Sequence, residues 1–504
     1  MNLKTFLLSS LSIFSANAAA ALPTLDLPWG SYQAKVLPAD KQVHGDPSQD
    51  LDPDGSDTTA VSAWSGTEDC LFLDIYVPKS VFDNPSSPPL PVTVWFYGGA
   101  YAFGTKRMST GPLYNGRSLI KASNYKTIFV AGNYRLGAFG WLAGSIMEAN
   151  GLPNAGLYDQ NLLLQWVQKY IGLVHGDNTN VSAWGESAGG GSILHHLIRD
   201  NGTKDPLFTR FVTQSPAFEW AWNNSAGGQL DQVYKNFSSS LGCPAPYDIE
   251  CIRNPSIPLK TLAEANVKLF DSVKQTGLFP IGPSVDNSWI KTIPTLAFAK
   301  GKFWPDSPDL RTKIAGQYNC TRDYNGDYNL CLRHVIRDSS FTCNTRDLLD
   351  AYPKQAYAMN YGFPDDNLAY HATDLVPLFA NVEIPGQIMT MFIVAFKYPL
   401  LKARELAIQL REKIIPVYLQ YLSSFAVYGN TGDKGWPVVA RSEKGFSNVM
   451  KPSSGGWNLV QDEQNTQEIC NFWRDRAHDL MSQPANMGSK NEGLKWDAEV
   501  QEEL

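Results

Sequence analysis

The sequence predicts an α/β fold: a mostly parallel central sheet with helices on both faces and long loop excursions. Three observations predict it. Strand-like and helix-like runs alternate from about Pro91, the strand-like runs end at glycines, and a small-residue pentad joins one of them to a helix. Val92 to Tyr97 is β-rich and ends at Gly98-Gly99, while Ile128-Phe129-Val130-Ala131 is fully apolar and ends at Gly132-Asn133. Runs apolar on both faces belong to strands buried from both sides. Leu157 to Ile171 carries Leu163, Trp166, Val167, Tyr170 and Ile171 at helical spacing, which gives one apolar face. Val181-Ser182-Ala183-Trp184 reads as strand again, and Ser192 to Leu197 as helix.

The flanks are of another kind. Val43 to Gly66 and residues 305–330 are rich in Asp, Pro, Gly, Ser and Asn, and read as exposed loops. Leu400 to Phe425 reads as helix interrupted by Pro416. With 504 residues, 43% of them hydrophobic, the chain has material for one large core, so residues 21–504 read as a single domain. The net charge of −7 is spread without a basic stripe, which argues against nucleic acid as a partner.

Residues 1–20 read as a signal peptide. Lys4 precedes the apolar stretch Phe6 to Phe14, and Ser15-Ala16-Asn17-Ala18-Ala19-Ala20 offers small residues for cleavage after Ala18 or Ala20. The alternative is a buried N-terminal strand or helix. Ile388 to Phe396 stops at Lys397 and is too short to span a bilayer. A secreted location follows, and sequons at Asn201, Asn223, Asn236 and Asn319 suit a glycosylated surface. A further sequon at Asn180 leads into a strand-like run and is expected to stay unmodified. Among seven cysteines, Cys243 and Cys251 can close a small loop, and Cys320, Cys331 and Cys343 offer another bridge.

The chemistry centres on Trp184-Gly185-Glu186-Ser187-Ala188-Gly189, a strand-to-helix turn of the form that exposes a nucleophilic serine in the α/β-hydrolase fold. Gly185 and Gly189 are needed because a side chain at either would collide where strand and helix close together. Ser187 is the expected nucleophile. The amide of Ala188, at the start of the helix, is an expected oxyanion donor, with Gly99 and Ala100 of Tyr97-Gly98-Gly99-Ala100 as its companions. The base is sought downstream of Ser187. His44 and His175 precede it, His195 and His196 lie along the elbow helix, and His334 and His478 lack a loop context. His371, in Tyr370-His371-Ala372-Thr373-Asp374, is the expected base. No metal and no organic cofactor is needed for this chemistry.

Several ordered motifs now resemble the type-B carboxylesterases, the family of cholinesterases and fungal lipases. Glu68-Asp69-Cys70-Leu71-Phe72-Leu73-Asp74-Ile75 is similar to one family signature. Asn133-Tyr134-Arg135-Leu136-Gly137 and Asn154-Ala155-Gly156-Leu157-Tyr158-Asp159-Gln160 resemble others, in the family's order. The resemblance implies an α/β-hydrolase acting on small ester substrates. It also implies that Ser215 stands near the catalytic histidine and that Glu186 supports the site without touching substrate. The sequence departs from the family in four places. Ala100 stands for a third glycine, and Val174-His175-Gly176-Asp177 lacks the usual Phe-Gly-Gly. Near 42–45 an N-terminal strand and the cysteine that pairs with the equivalent of Cys70 are missing, which leaves Cys70 unpaired. Near 304–315 the strand that carries the triad acid is missing. Asp306, Asp309, Asp323 and Asp327 remain as carboxylates, none in the family's motif.

The sequence therefore reads as a secreted serine carboxylic ester hydrolase working through an acyl-enzyme, its triad acid unidentified. The rival readings are a catalytically silent binding protein on the same fold, and a hydrolase of lactones or thioesters in a biosynthetic route.

Overall fold

Alternation of side chains along the strands decides where the core lies. The computed structural model describes residues 7–14, 24–33, 35–37, 67–84, 86–106, 114–217, 224, 226–270, 279–291, 316–364, 369–379, 398–432, 435–442, 444–464 and 466–482. In the strand Leu90–Phe96, Val92, Val94 and Phe96 enter one apolar cluster, while Trp95 and the following Tyr97 enter another. Ile128–Gly132 divides the same way, Ile128 and Val130 against Phe129 and Ala131. That is the period-two pattern of strands covered on both faces. The helix Ala155–Tyr170 closes the first cluster through Leu163, Trp166 and Val167. The helix Ile415–Tyr428 closes the second through Ile415, Tyr418 and Leu422.

Among the described residues the central sheet has seven strands, in the order Lys35–Leu37, Leu7–Phe14, Phe72–Pro78, Ile128–Gly132, Leu90–Phe96, Gly176–Glu186 and Arg210–Gln214. All neighbours are parallel except Phe72–Pro78 against Ile128–Gly132. The expected mostly parallel sheet is thus present, with Leu90–Phe96 between Ile128–Gly132 and the elbow strand Gly176–Glu186. Asn180 lies in that elbow strand, as expected.

The apolar stretch read as a leader forms the strand Leu7–Phe14, paired in parallel with Phe72–Pro78 and with Lys35–Leu37. The acidic loop from Val43 to Gly66 lies outside the described residues. So do both shortened stretches, near 42–45 and 304–315.

Two C-terminal regions differ in detail from expectation. Residues 320–330, read as loop, contain the turn of helix Cys320–Asp323 and the start of the helix Tyr328–Arg337. Side-chain caps explain both: Asn319 accepts from the Arg322 N–H, and Asp327 from that of Leu330. The interrupted helix near Pro416 runs from Leu400 to Gln409, widens into a π-turn over Leu410–Ile414, and resumes as Ile415–Tyr428. Pro416 supplies no N–H, and its place in the first turn of the resumed helix needs none.

Three disulfides form, Cys243–Cys251, Cys320–Cys331 and Cys343–Cys470, and Cys70 is free. Among the described residues no helix is long and apolar enough to cross a membrane.

Candidate active site

The elbow is held by its backbone. Ser187 sits between the strand Gly176–Glu186 and the helix Ala188–Leu197 at φ 54° and ψ −123°, a region costly for any residue with a Cβ. Its N–H donates to the Gln214 carbonyl at 2.9 Å, and its carbonyl accepts from the amides of Gly191 at 2.8 Å and Ala217 at 3.0 Å. The two glycines of the pentad leave the space the turn needs. A methyl on Gly185 would lie 2.5 Å from the Gly189 carbonyl carbon, and one on Gly189 would lie 2.0 Å from the Phe96 carbonyl oxygen.

The glycine-rich loop after Leu90–Phe96 packs against this serine. A methyl on Gly98 would meet Glu186 Oε2 at 2.6 Å and Ser187 Cβ at 2.9 Å. Gly99 (φ 115°) and Ala100 (φ 51°) turn the chain, and the Gly99 carbonyl accepts from the amides of Ala102 and Phe103. Among the described residues neither the Gly99 nor the Ala100 amide donates a hydrogen bond. Ala188, the first residue of its helix, has no acceptor within that helix. The loop is anchored at both ends. Tyr134 Oη donates to the Tyr97 carbonyl at 2.7 Å, and Lys106 Nζ pairs with buried Asp74 at 2.8 Å.

His371 occupies the turn before the helix Leu375–Phe379, its ring 4.8 Å from that of Phe341. Its Nε2 lies 3.2 Å from Glu186 Oε1, with the histidine side chain 43% exposed and that of Glu186 only 4%. That separation is within ion-pair range, yet Glu186 Oε1 accepts no hydrogen bond of good direction. The contact is therefore a close approach without a hydrogen bond. No hydrogen bond joins His371 to Ser187 or to Ser215 among the described residues. Ser215, half-buried at φ 43°, stands one residue beyond the side chain that does reach the histidine loop. That side chain is Gln214, whose Nε2 donates to Asp374 Oδ2 at 2.8 Å and to Tyr418 Oη at 3.0 Å.

Burial governs the charges here. It pushes the Glu186 carboxyl well above the usual carboxylate range, and the nearby Asp374 charge adds to the effect. Burial also raises Asp374, with the Gln214 bond opposing it, and lowers His371. The other histidines are placed elsewhere. Burial holds His195 and His196 down at about 3, so both stay neutral near pH 7. His175 hydrogen-bonds the Ser87 carbonyl, and His334 packs on Tyr324. His44 and the side chain of His478 lie outside the described residues.

Of the four leftover carboxylates, Asp306 and Asp309 lie outside the described residues. Asp323 pairs with Arg322, and Asp327 caps a helix. Sequence reasoning singled out Glu186 without the contact it makes, and it gave Gln214 and Phe341 no part. No local pattern announces either of the last two. Among the described residues no three His, Cys, Asp or Glu side chains are placed to hold a metal ion.

Against known proteins, the sequence profile of the Carboxylesterase family matches residues 33–308, more than half of the chain. The chain belongs to the carboxylesterase family. The carboxylesterase relatives include a secreted lipase of Arthroderma benhamiae, 31% identical over 524 residues, covering 92% of this chain and 95% of that protein. Carboxylesterase patB of Penicillium expansum is 31% identical over 460 residues, covering 81% of this chain and 75% of the relative. Among solved structures, EstA of Aspergillus niger superposes with a TM-score of 0.60 at 21% identity, covering 82% and 85% of the two chains. The shared α/β-hydrolase fold is evident from that superposition. Family membership makes the protein a carboxylic ester hydrolase.

Proposed function

We propose that this carboxylesterase is secreted and cleaves small carboxylic esters through an acyl-enzyme on Ser187. The observation that carries the reading is the serine's backbone: a strained, fully tied turn at the head of a helix, with the Gly98–Ala100 loop packed on it. Such a turn holds a hydroxyl in a fixed place without help from its own rotamer. Ser187 Oγ attacks the ester carbonyl carbon while its proton passes to His371. The carbonyl oxygen becomes an oxyanion, which the amides of Gly99, Ala100 and Ala188 stabilise. Each such donor is worth about 2.7–4 kcal/mol in the transition state. The imidazolium then protonates the departing alkoxide, and water repeats the sequence on the acyl-enzyme.

Secretion is supported by the apolar stretch ahead of Ala18 and Ala20 and by three disulfides. Cleavage there would take the strand Leu7–Phe14 out of the sheet, so sequencing the N-terminus of the exported protein tests this directly.

The chemistry is tested by mass spectrometry after treatment with a fluorophosphonate, with Ser187→Ala alongside. Stoichiometric labelling of the Ser187 peptide is expected, with none in the variant. A folded wild-type protein that takes no label would overturn the reading.

A further inference from the structure

We propose that Glu186 serves in the role of the triad acid, as the charge partner of His371. The proposal rests on the esterase reading of Ser187 and His371. It starts from one contact, His371 Nε2 to Glu186 Oε1 at 3.2 Å. Three further observations narrow the choice. Among the described residues, Glu186 Oε1 is buried and receives no hydrogen bond from any other group. The other buried carboxylate nearby, Asp374, is taken up by Gln214. Among the described residues, no other carboxylate forms an ion pair with His371.

Gly98 makes the arrangement possible. Glu186 Oε2 occupies the space that a methyl on residue 98 would need. The carboxylate is thus clasped between the oxyanion-loop backbone and the imidazole, on the residue next to Ser187. An acid delivered from a separate strand would have to reach the imidazole from elsewhere. Here the elbow strand itself delivers it.

The step balances as follows. The Ser187 O–H bond breaks as Oγ bonds to the carbonyl carbon, and the proton goes to the ring nitrogen of His371 that does not face Glu186. The imidazolium so formed lies beside the Glu186 carboxylate, which neutralises it until the proton leaves with the alcohol. Glu186 touches no reacting atom and is a positioning residue. The present contact is close but poorly directed, and the half-exposed ring has room to turn into line with it once substrate covers the site.

Burial governs the titration of this pair, lowering His371 and raising Glu186, with the Asp374 charge adding to the effect at Glu186. Glu186 faces His371 directly, Asp374 acts on Glu186, and the Phe341 ring beside the imidazole is neutral. Removing the Glu186 charge should make His371 bind its proton less tightly.

The test uses the full chain with Glu186→Gln and Glu186→Asp, read by kcat, KM and the rate of fluorophosphonate labelling. E186Q is expected to lose about 10³-fold or more in kcat and in labelling rate with KM little changed, as loss of a triad acid does elsewhere. The acid limb of its kcat/KM profile should move to lower pH. Its melting temperature should hold or rise, because a buried carboxyl that is costly to ionise gives way to a neutral side chain of the same shape. E186D should fall between E186Q and wild type. E186Q with kcat and labelling within about threefold of wild type would overturn the assignment, as would E186D no faster than E186Q. If E186Q does not fold, E186D decides alone, and unchanged kcat with an unmoved acid limb would overturn it. Absence of labelling in the wild type would instead sink the esterase reading beneath it.

Discussion

The two halves of the site are fixed in different ways. Ser187 is set by main chain: three backbone hydrogen bonds, a positive φ, and glycines whose neighbours are backbone atoms. His371 is set by side chains: the Phe341 ring on one side, the Glu186 carboxylate on another, and Gln214 holding Asp374 three residues on. Phe341 in turn lies in the π-turn Asp338–Thr342, next to Cys343, whose disulfide reaches Cys470. Backbone constraint leaves nothing to adjust, whereas side-chain constraint is graded. The base should therefore tolerate change where the nucleophile does not.

The comparison breaks most sharply at Gly189→Ala. The added methyl would stand 2.0 Å from a strand carbonyl with no flexible atom to move aside. We expect loss of labelling at Ser187 and a stability loss of about 3 kcal/mol or more by denaturant titration. A soluble G189A that labels normally would show that the elbow yields after all.

Next in size is the Cys343→Ser, Cys470→Ser pair. It opens a cross-link across 127 positions of sequence that enclose His371. The expected cost is about 2–5 kcal/mol of stability, with kcat and the labelling rate at Ser187 falling together in the folded protein as the base loses its place. Unchanged kcat and labelling in the folded variant would mean that this disulfide does not hold the base in place.

The smallest effect is expected at Gln214→Ala, which cuts the bond between the elbow side and the histidine loop. Leaving buried Asp374 without this donor should cost about 1–3 kcal/mol, read as a lower melting temperature. A melting temperature that does not move would mean that Asp374 finds another donor or is already protonated.

The same division explains what could be read from the sequence. The elbow was legible because its requirements are local: glycines at fixed offsets, an apolar strand before, a helix after. The strands Leu90–Phe96 and Ile128–Gly132 were legible because burial on both faces writes itself as an unbroken apolar run. The partner of Cys343 was not, since no spacing rule links it to Cys470. Nor was the partner of His371. An acid was sought after Trp304 on a strand of its own, while the structure brings the histidine to Glu186, one residue from the serine. The caps Asn319 and Asp327 were signals available in the text, hidden by the polar composition around them.

Gly98 has a consequence for how the protein can change its substrate. Any side chain there must displace the Glu186 carboxylate and the Ser187 Cβ together. A stepwise lineage cannot widen or narrow the site from this position without passing through an inactive ancestor. Diversification is left to exposed side chains close to the site in sequence, such as Phe103 and Tyr370, which are 48% and 59% exposed.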